Sequence, residues 1–326
     1  QRAIEENVSY IETMLTIIDV NCSDFFNEDA IEKINSQLKI SNNQSEVDDI
    51  LSKIDSTYVY NKNFQSKIDS FNQMLVKYHS GIDTVGFKMR YQTYAARTLP
   101  PLQVYTSLLS GFYASTSQND SLLVGVNIVA PENNYTALED YTLHMRMYNY
   151  LHRKYPKVNR ALHAGELTLG MVRPKNLLFH INEALSIAKA QRIGHGVDIP
   201  YESESYNLLE KIKEAGAAIE INLTSNQFIL GVQGNRHPYL IYSENNVPLV
   251  IATDDSGVSR NNLTNEFVLL SSRYKPSYKK VKEYVYNSIN YSFLSDHDKK
   301  ESVENLNVKF EEFEERIASL DFIFEQ

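Results

Sequence analysis

Arg160-Ala161-Leu162-His163-Ala164-Gly165-Glu166 is a short apolar run that breaks at a glycine, and Gln191-Arg192-Ile193-Gly194-His195-Gly196 has the same form. Both runs are bounded by turn residues and are too short for a helix, so residues 160–163 and 191–194 are predicted as buried strands. Working outward, residues 122–130, 217–223 and 249–253 read the same way, and from residue 122 the strands recur at intervals of about 30 residues. That interval is the length of one strand–helix unit of a parallel sheet. Upstream, residues 8–15 and 86–95 bring the predicted strands to seven.

Amphipathic patterns fill the gaps between the strands. Residues 174–190 are predicted as a helix, with Pro174 in its first turn and Leu178, Ile181, Leu185 and Ala188 on one face. Residues 206–215 form another, with Leu208, Leu209 and Ile212 on one face and Gly216 as its stop. Residues 24–79 are longer than one crossover needs and predict two or three polar helices; residues 303–324 predict a charged terminal helix. No repeat, low-complexity linker or internal boundary interrupts the series, so residues 1–326 are read as one catalytic barrel domain. Seven strands in a regular series predict an α/β fold, a TIM (β/α)8 barrel short of one strand. Such barrels carry their chemistry at the C-terminal ends of the strands.

Composition narrows the function. Hydrophobic residues at 42% and charged residues at 22% suit a globular core, and no run approaches the roughly 18–20 apolar residues of a membrane span. The net charge of -9 argues against a nucleic-acid backbone partner, which favours a basic surface, but not against a small nucleoside in a pocket. Cys22 is the single cysteine, so neither an intrachain disulfide nor a thiolate metal cluster is available.

The strand ends carry the candidate chemistry. One strand runs from His163 into Glu166, the next ends at His195 between glycines, and the last runs into Asp254-Asp255. Taken singly, each has a plain structural reading: a satisfied histidine, a tight turn, a helix cap. Adjacent carboxylates at a buried strand end repel unless a cation or hydrogen-bond donors stabilise them. Two histidines, a glutamate and two aspartates on one barrel rim form the constellation of a metal-dependent hydrolase.

His163-Ala164-Gly165-Glu166, Arg192-Ile193-Gly194-His195-Gly196 and Thr253-Asp254-Asp255 resemble, in order and spacing, three signatures of the adenosine deaminase family. Asn222-Leu223-Thr224-Ser225-Asn226 and His237-Pro238 extend the likeness, which is nearest to bacterial members and to the secreted growth-factor branch. The resemblance implies zinc-dependent hydrolytic deamination of adenosine, and of 2'-deoxyadenosine, to inosine and ammonia. It implies His163 and Asp254 as zinc ligands and Glu166 as the acid that protonates purine N1. His195 would orient and help deprotonate the attacking water, and Asp255 would bond the purine N7 edge. The partner implied is a small purine nucleoside, with neither nucleic acid nor membrane. The resemblance is compatible with a homodimer, which no pattern in the residues decides. The branch leans toward a secreted or periplasmic setting, with a cytoplasmic one also compatible.

Two departures stand out. The family's first strand supplies a His-x-His pair that completes a one-zinc site, and no His-x-His occurs in this sequence. The strand that would carry it is also the one not found, so a single missing N-terminal segment, bringing two further histidine ligands, is expected to explain both. The family usually ends the strand at 122–130 with Asp-x-x-Gly, the glycine N–H meeting purine N3. Here Asn127 and Ala130 stand instead, and Ala130 keeps the N–H but tightens the pocket floor. The same strand has no lysine to carbamylate, which favours one metal over two. Adenine and AMP are alternative substrates; AMP would ask for basic residues at the rim, against the acidic balance. A non-catalytic adenosine-binding relative is the alternative of another class. His237 reads as a loop anchor, and His79, His144, His152, His180 and His297 as surface or cap residues.

Overall fold

The computed structural model describes residues 1–117 and 122–324, the side chains of 321–324 excepted. Seven strands form a single parallel sheet in chain order: β1 (Tyr10–Met14), β2 (Lys88–Ala96), β3 (Leu123–Val129), β4 (Asn159–Ala164), β5 (Arg192–His195), β6 (Ala218–Ile221) and β7 (Leu249–Ile251). Each pairs only with its neighbours in sequence, so the sheet curls into an open barrel of the TIM type with β1 and β7 at its two edges. β-Branched and aliphatic residues dominate the central strands, as in Leu123-Val124-Gly125-Val126-Asn127-Ile128-Val129, because both faces are covered. The register sets His163 opposite Gly194, Ala164 opposite His195 and Ile221 opposite Ile251. The C-terminal ends of β4 to β7 therefore lie on one rim.

The long polar stretch between β1 and β2 folds into three helices, Glu28–Ile40, Gln44–Val59 and Lys62–His79. Each starts at an asparagine whose side chain accepts a backbone N–H of the first turn: Asn27 from Ala30, Asn43 from Glu46 and Asn61 from Asn63. Their buried stripes, such as Val47, Leu51, Ile54 and Tyr58, recur at helical spacing. Each fully buried aliphatic or aromatic side chain contributes about 1.5–3 kcal/mol of transfer free energy. The helix Pro101–Ser117 lies on β2 and β3, where a Cβ at Gly111 would come within 2.7 Å of Thr93 Cγ2.

Two expectations are corrected. The helix predicted over 174–190 is a 3-10 turn, Pro174–Leu177, followed by a short helix, His180–Ser186. The break lets Glu202 accept the backbone N–H groups of Ile181 (2.5 Å) and Asn182 (3.3 Å) and carries His180 inward. His144 and His180, read as surface or cap residues, are both fully buried. Helical periodicity alone does not record which face of a two-sided α/β layer meets the sheet.

Candidate active site

His163, Glu166, His195 and Asp254 meet on the rim where β4, β5 and β7 end. One potential ligand atom from each of His163, His195 and Asp254 lies within 4.8 Å of the others. The two imidazole rings are 5.0 Å apart between centroids. Glu166 Oε1 lies 3.7 Å from His195 Nδ1, and Asp254 Oδ2 lies 3.9 Å from His195 Nε2. Asp255 follows on the surface as the N-cap residue of a short helix, Ser256–Ser259, but its side chain makes no capping bond.

Three residues of the site stand in left-handed backbone that L side chains rarely adopt: Ala130 (φ 80), His195 (φ 71) and Asp254 (φ 51). Such positions cost on the order of 1–3 kcal/mol each and persist where the surrounding fold over-determines them. At Ala130 the angle explains why glycine suits that strand end: it takes φ above zero without a Cβ conflict.

The donor set fits a metal ion. Asn127 Oδ1 accepts the backbone N–H groups of Ile128 (2.8 Å) and His163 (3.2 Å), which fixes it as the amide oxygen. His163 Nδ1, 3.0 Å away, must then carry the proton and donate to it. That leaves the Nε2 lone pair of His163 free for a cation. Burial first, then the neighbouring His195, holds the His163 imidazole neutral, the form a ligand needs. The Asp254 carboxylate accepts no hydrogen bond among the described residues, and two adjacent carboxylates at one strand end suit a divalent ion.

Glu166 has the electrostatics of an acid. Burial, reinforced by the charges of Glu132 and Asp254, pushes its carboxyl up to about 8. Its Oε1 is buried with no partner among the described residues. His195 is 1% exposed, and burial lowers its imidazole to about 4. Burial, then Asp254, raises the Asp255 carboxyl.

Beneath the site lies a buried clamp that sequence reasoning missed. Glu132 accepts the backbone N–H groups of Gly165 (3.1 Å) and Glu166 (2.9 Å) and the Nδ1–H of His180 (2.5 Å). Arg97 Nη1 stands 3.5 Å from the same carboxylate, and Arg97 Nη2 donates to the His163 carbonyl at 2.6 Å. Burial alone would push Glu132 up, but Arg97 and His180 hold it down to about 2. The clamp fixes the turn that presents Glu166. At Gly165 (φ 72) a Cβ would meet Asp198 Oδ1 at 2.3 Å, so the turn admits no side chain there. A carboxylate two residues past a strand end was the one signal in the sequence for Glu132; Arg97 and His180 had none.

A cavity of about 550 Å3 runs along the edges of β1 and β7 and reaches His163, Asn127, Asn222, Asp254 and Asp255. Ligand pockets of proteins span roughly 300–1,000 Å3, and its volume is in that range, but neither Glu166 nor His195 lines it.

Known proteins share this fold. Residues 56–309 match the adenosine deaminase family, and this chain belongs to that family. The adenosine deaminase of Clostridium perfringens is 34% identical over 137 residues, a match covering 42% of this chain and 38% of that protein. The adenosine deaminase of Aedes albopictus is 25% identical over 236 residues, covering 61% and 43% respectively. The matched region thus spans about two fifths of these relatives' length. Among solved structures, a zinc-bound amidohydrolase from Burkholderia ambifaria superposes with TM-score 0.62 at 14% identity, covering 98% of this chain and 94% of its own. The N6-methyl-AMP deaminase of Arabidopsis thaliana superposes with TM-score 0.59 at 16% identity, covering 92% and 96%. At such identities these two structures speak to the fold alone.

Proposed function

We propose that this protein is a zinc-dependent deaminase that converts adenosine, and 2'-deoxyadenosine, to inosine and ammonia. The observation that carries the reading is a half-buried Glu166, its carboxyl pushed up to about 8, on the same rim of an adenosine deaminase-family barrel as a metal-competent pair, His163 and Asp254.

His163 Nε2 and the Asp254 carboxylate would supply two of the ligands of one zinc ion, whose Lewis acidity would bring a water to a pKa near neutrality. Glu166 delivers its proton to purine N1 as the water oxygen bonds to C6. The proton the water gives up passes by way of a carboxylate to N6, the C6–N6 bond breaks and ammonia leaves, and the C6 hydroxyl proton returns to Glu166 as the carbonyl forms. Its raised pKa keeps that proton in place at neutral pH. His195 orients the water. Asp255, with no capping bond to hold it, is free to bond the N7 edge, and the Ala130 N–H would meet purine N3, as the family resemblance implies.

Adenine and AMP are the competing substrates, and an adenosine-binding protein without catalysis is the competing class. The ultraviolet change that follows adenosine to inosine separates them when adenosine, adenine and AMP are offered in turn to zinc-loaded protein. Turnover of adenosine above the other two is expected. Preference for adenine or AMP refutes the substrate, and binding without turnover refutes the enzyme.

A further inference from the structure

We propose that Asn226 and His237 are positioning residues that hold His195 in one neutral tautomer, its proton on Nε2, so that His195 meets the water as a hydrogen-bond donor and not as a base. The functional half of this statement rests on the deaminase reading; the tautomer itself does not.

The relay begins at a group whose role cannot change. The backbone N–H of Tyr239 points at His237 Nδ1 at 3.1 Å, and a backbone N–H only donates. His237 Nδ1 is therefore an acceptor, and the ring proton sits on Nε2. That nitrogen faces the side-chain oxygen of Asn226 at 3.0 Å and donates to it. With its oxygen engaged, the Asn226 amide turns its nitrogen to His195 Nδ1 at 2.9 Å. An amide nitrogen donates, so His195 Nδ1 accepts, and the proton of His195 is left on Nε2. The Asn222 amide nitrogen approaches the same Nδ1 at 3.4 Å and acts in the same sense.

Among the described residues no alternative partner competes. Glu166 Oε1 at 3.7 Å and Asp254 Oδ2 at 3.9 Å lie beyond hydrogen-bond distance of the His195 ring. His195, Asn226, His237 and Asn222 are all buried, which keeps bulk water from reassigning the amides. His195 Nε2, the free end of the relay, is buried and unpartnered among the described residues.

The neighbouring His163 has the opposite tautomer, because Asn127 presents it with an oxygen. Two imidazoles on adjacent strands thus differ in kind: one offers the cluster a lone pair, the other an N–H. Of the two histidines in the three-residue cluster, His163 alone is a ligand as it stands. The role of base suggested for His195 by family resemblance gives way to that of a donor that aims the water, and the water's proton is left to a carboxylate.

The test is long-range proton–nitrogen NMR on the chain labelled with 15N-histidine, His195 being assigned by its loss in His195→Gln. Wild type should show His195 protonated at Nε2 and bare at Nδ1. Asn226→Asp is isosteric but turns an acceptor to Nδ1 at the short contact, leaving only the longer Asn222 amide at 3.4 Å to oppose it, so a proton should appear on Nδ1. His237→Leu releases the amide and should mix the tautomers, whereas His237→Gln keeps an amide donor and should restore the wild-type spectrum. The His237 pair carries the test if Asn226→Asp does not fold. A wild-type His195 protonated at Nδ1, or tautomers unmoved by these folded variants, overturns the relay. In protein that deaminates adenosine, Asn226→Asp should lower kcat by on the order of 10²-fold with KM nearly unchanged; undiminished kcat overturns the role in the reaction. A wild type with the expected tautomer and no deamination refutes the deaminase reading and leaves the relay standing.

Discussion

Replacing Glu166 by glutamine separates proton delivery from every other task of the site. With its carboxyl raised to about 8, Glu166 is protonated in roughly nine molecules of ten at pH 7. The wild type thus carries its acid ready, and the acid limb of kcat/KM should fall as pH rises through about 8. Glutamine is a neutral isostere of the protonated form, so the pocket and its hydrogen bonds survive, but an amide has no proton to give. General acids contribute about 10²–10⁴-fold, or about 3–5 kcal/mol of barrier. Deamination by Glu166→Gln should drop by that factor, while zinc content and nucleoside affinity stay near wild type. Stability should move the other way. A carboxyl raised in the folded state from 4.5 to about 8 binds more protons folded than unfolded between those values. Wild-type stability therefore declines as pH rises across that window, by on the order of a few kcal/mol, and the variant lacks the decline. The assays are the adenosine-to-inosine absorbance change, elemental analysis and urea melts from pH 5 to 9. Near-wild-type turnover in Glu166→Gln, or a stability that falls with pH as steeply as before, would refute the reasoning.

Two further outcomes are expected. Asp254→Asn keeps a residue that tolerates left-handed backbone but gives up the charged ligand, so zinc retention on dialysis should weaken markedly and activity disappear with it; full zinc in the folded variant counts against the assignment. Glu132→Gln should cost about 3–5 kcal/mol at neutral pH, because Arg97 is left buried without its counter-charge and His180 Nδ1 loses its carboxylate acceptor. Since Glu132 is held at about 2, its contribution is present above about 4.5 and lost as pH falls toward 2, so denaturant melts of variant and wild type should converge in acid.

Much of the fold was legible without coordinates. Each strand predicted at 8–15, 86–95, 122–130, 160–163, 191–194, 217–223 and 249–253 overlaps an observed one, with ends shifted by a few residues. A buried parallel strand is an uninterrupted apolar run whose boundaries are marked by local turn residues. The stretch at 24–79 predicts two or three polar helices, and three are observed, each capped by an asparagine that the sequence pattern did not single out. The stretch at 174–190 was not legible, because the acceptor that takes up the N–H groups freed at its break, Glu202, lies outside it.

The site divides in the same way. Chain order alone set His163, Glu166, His195, Asp254 and Asp255 at the ends of βα units, and a parallel sheet has no choice but to bring such ends to one rim. That much belongs to the sequence. The protonation pattern does not. Whether an imidazole offers a lone pair or an N–H depends on which atom of a distant side chain faces it. Asn127 turns an oxygen to His163 across 36 positions of chain, and Asn226 a nitrogen to His195 across 31. The Glu166 carboxyl is likewise pushed up by burial and by carboxylates that follow other strands, Glu132 and Asp254. Local pattern places a residue on the rim, but the direction of a hydrogen bond and the cost of a charge are properties of the packed interior, and only the tertiary structure decided them.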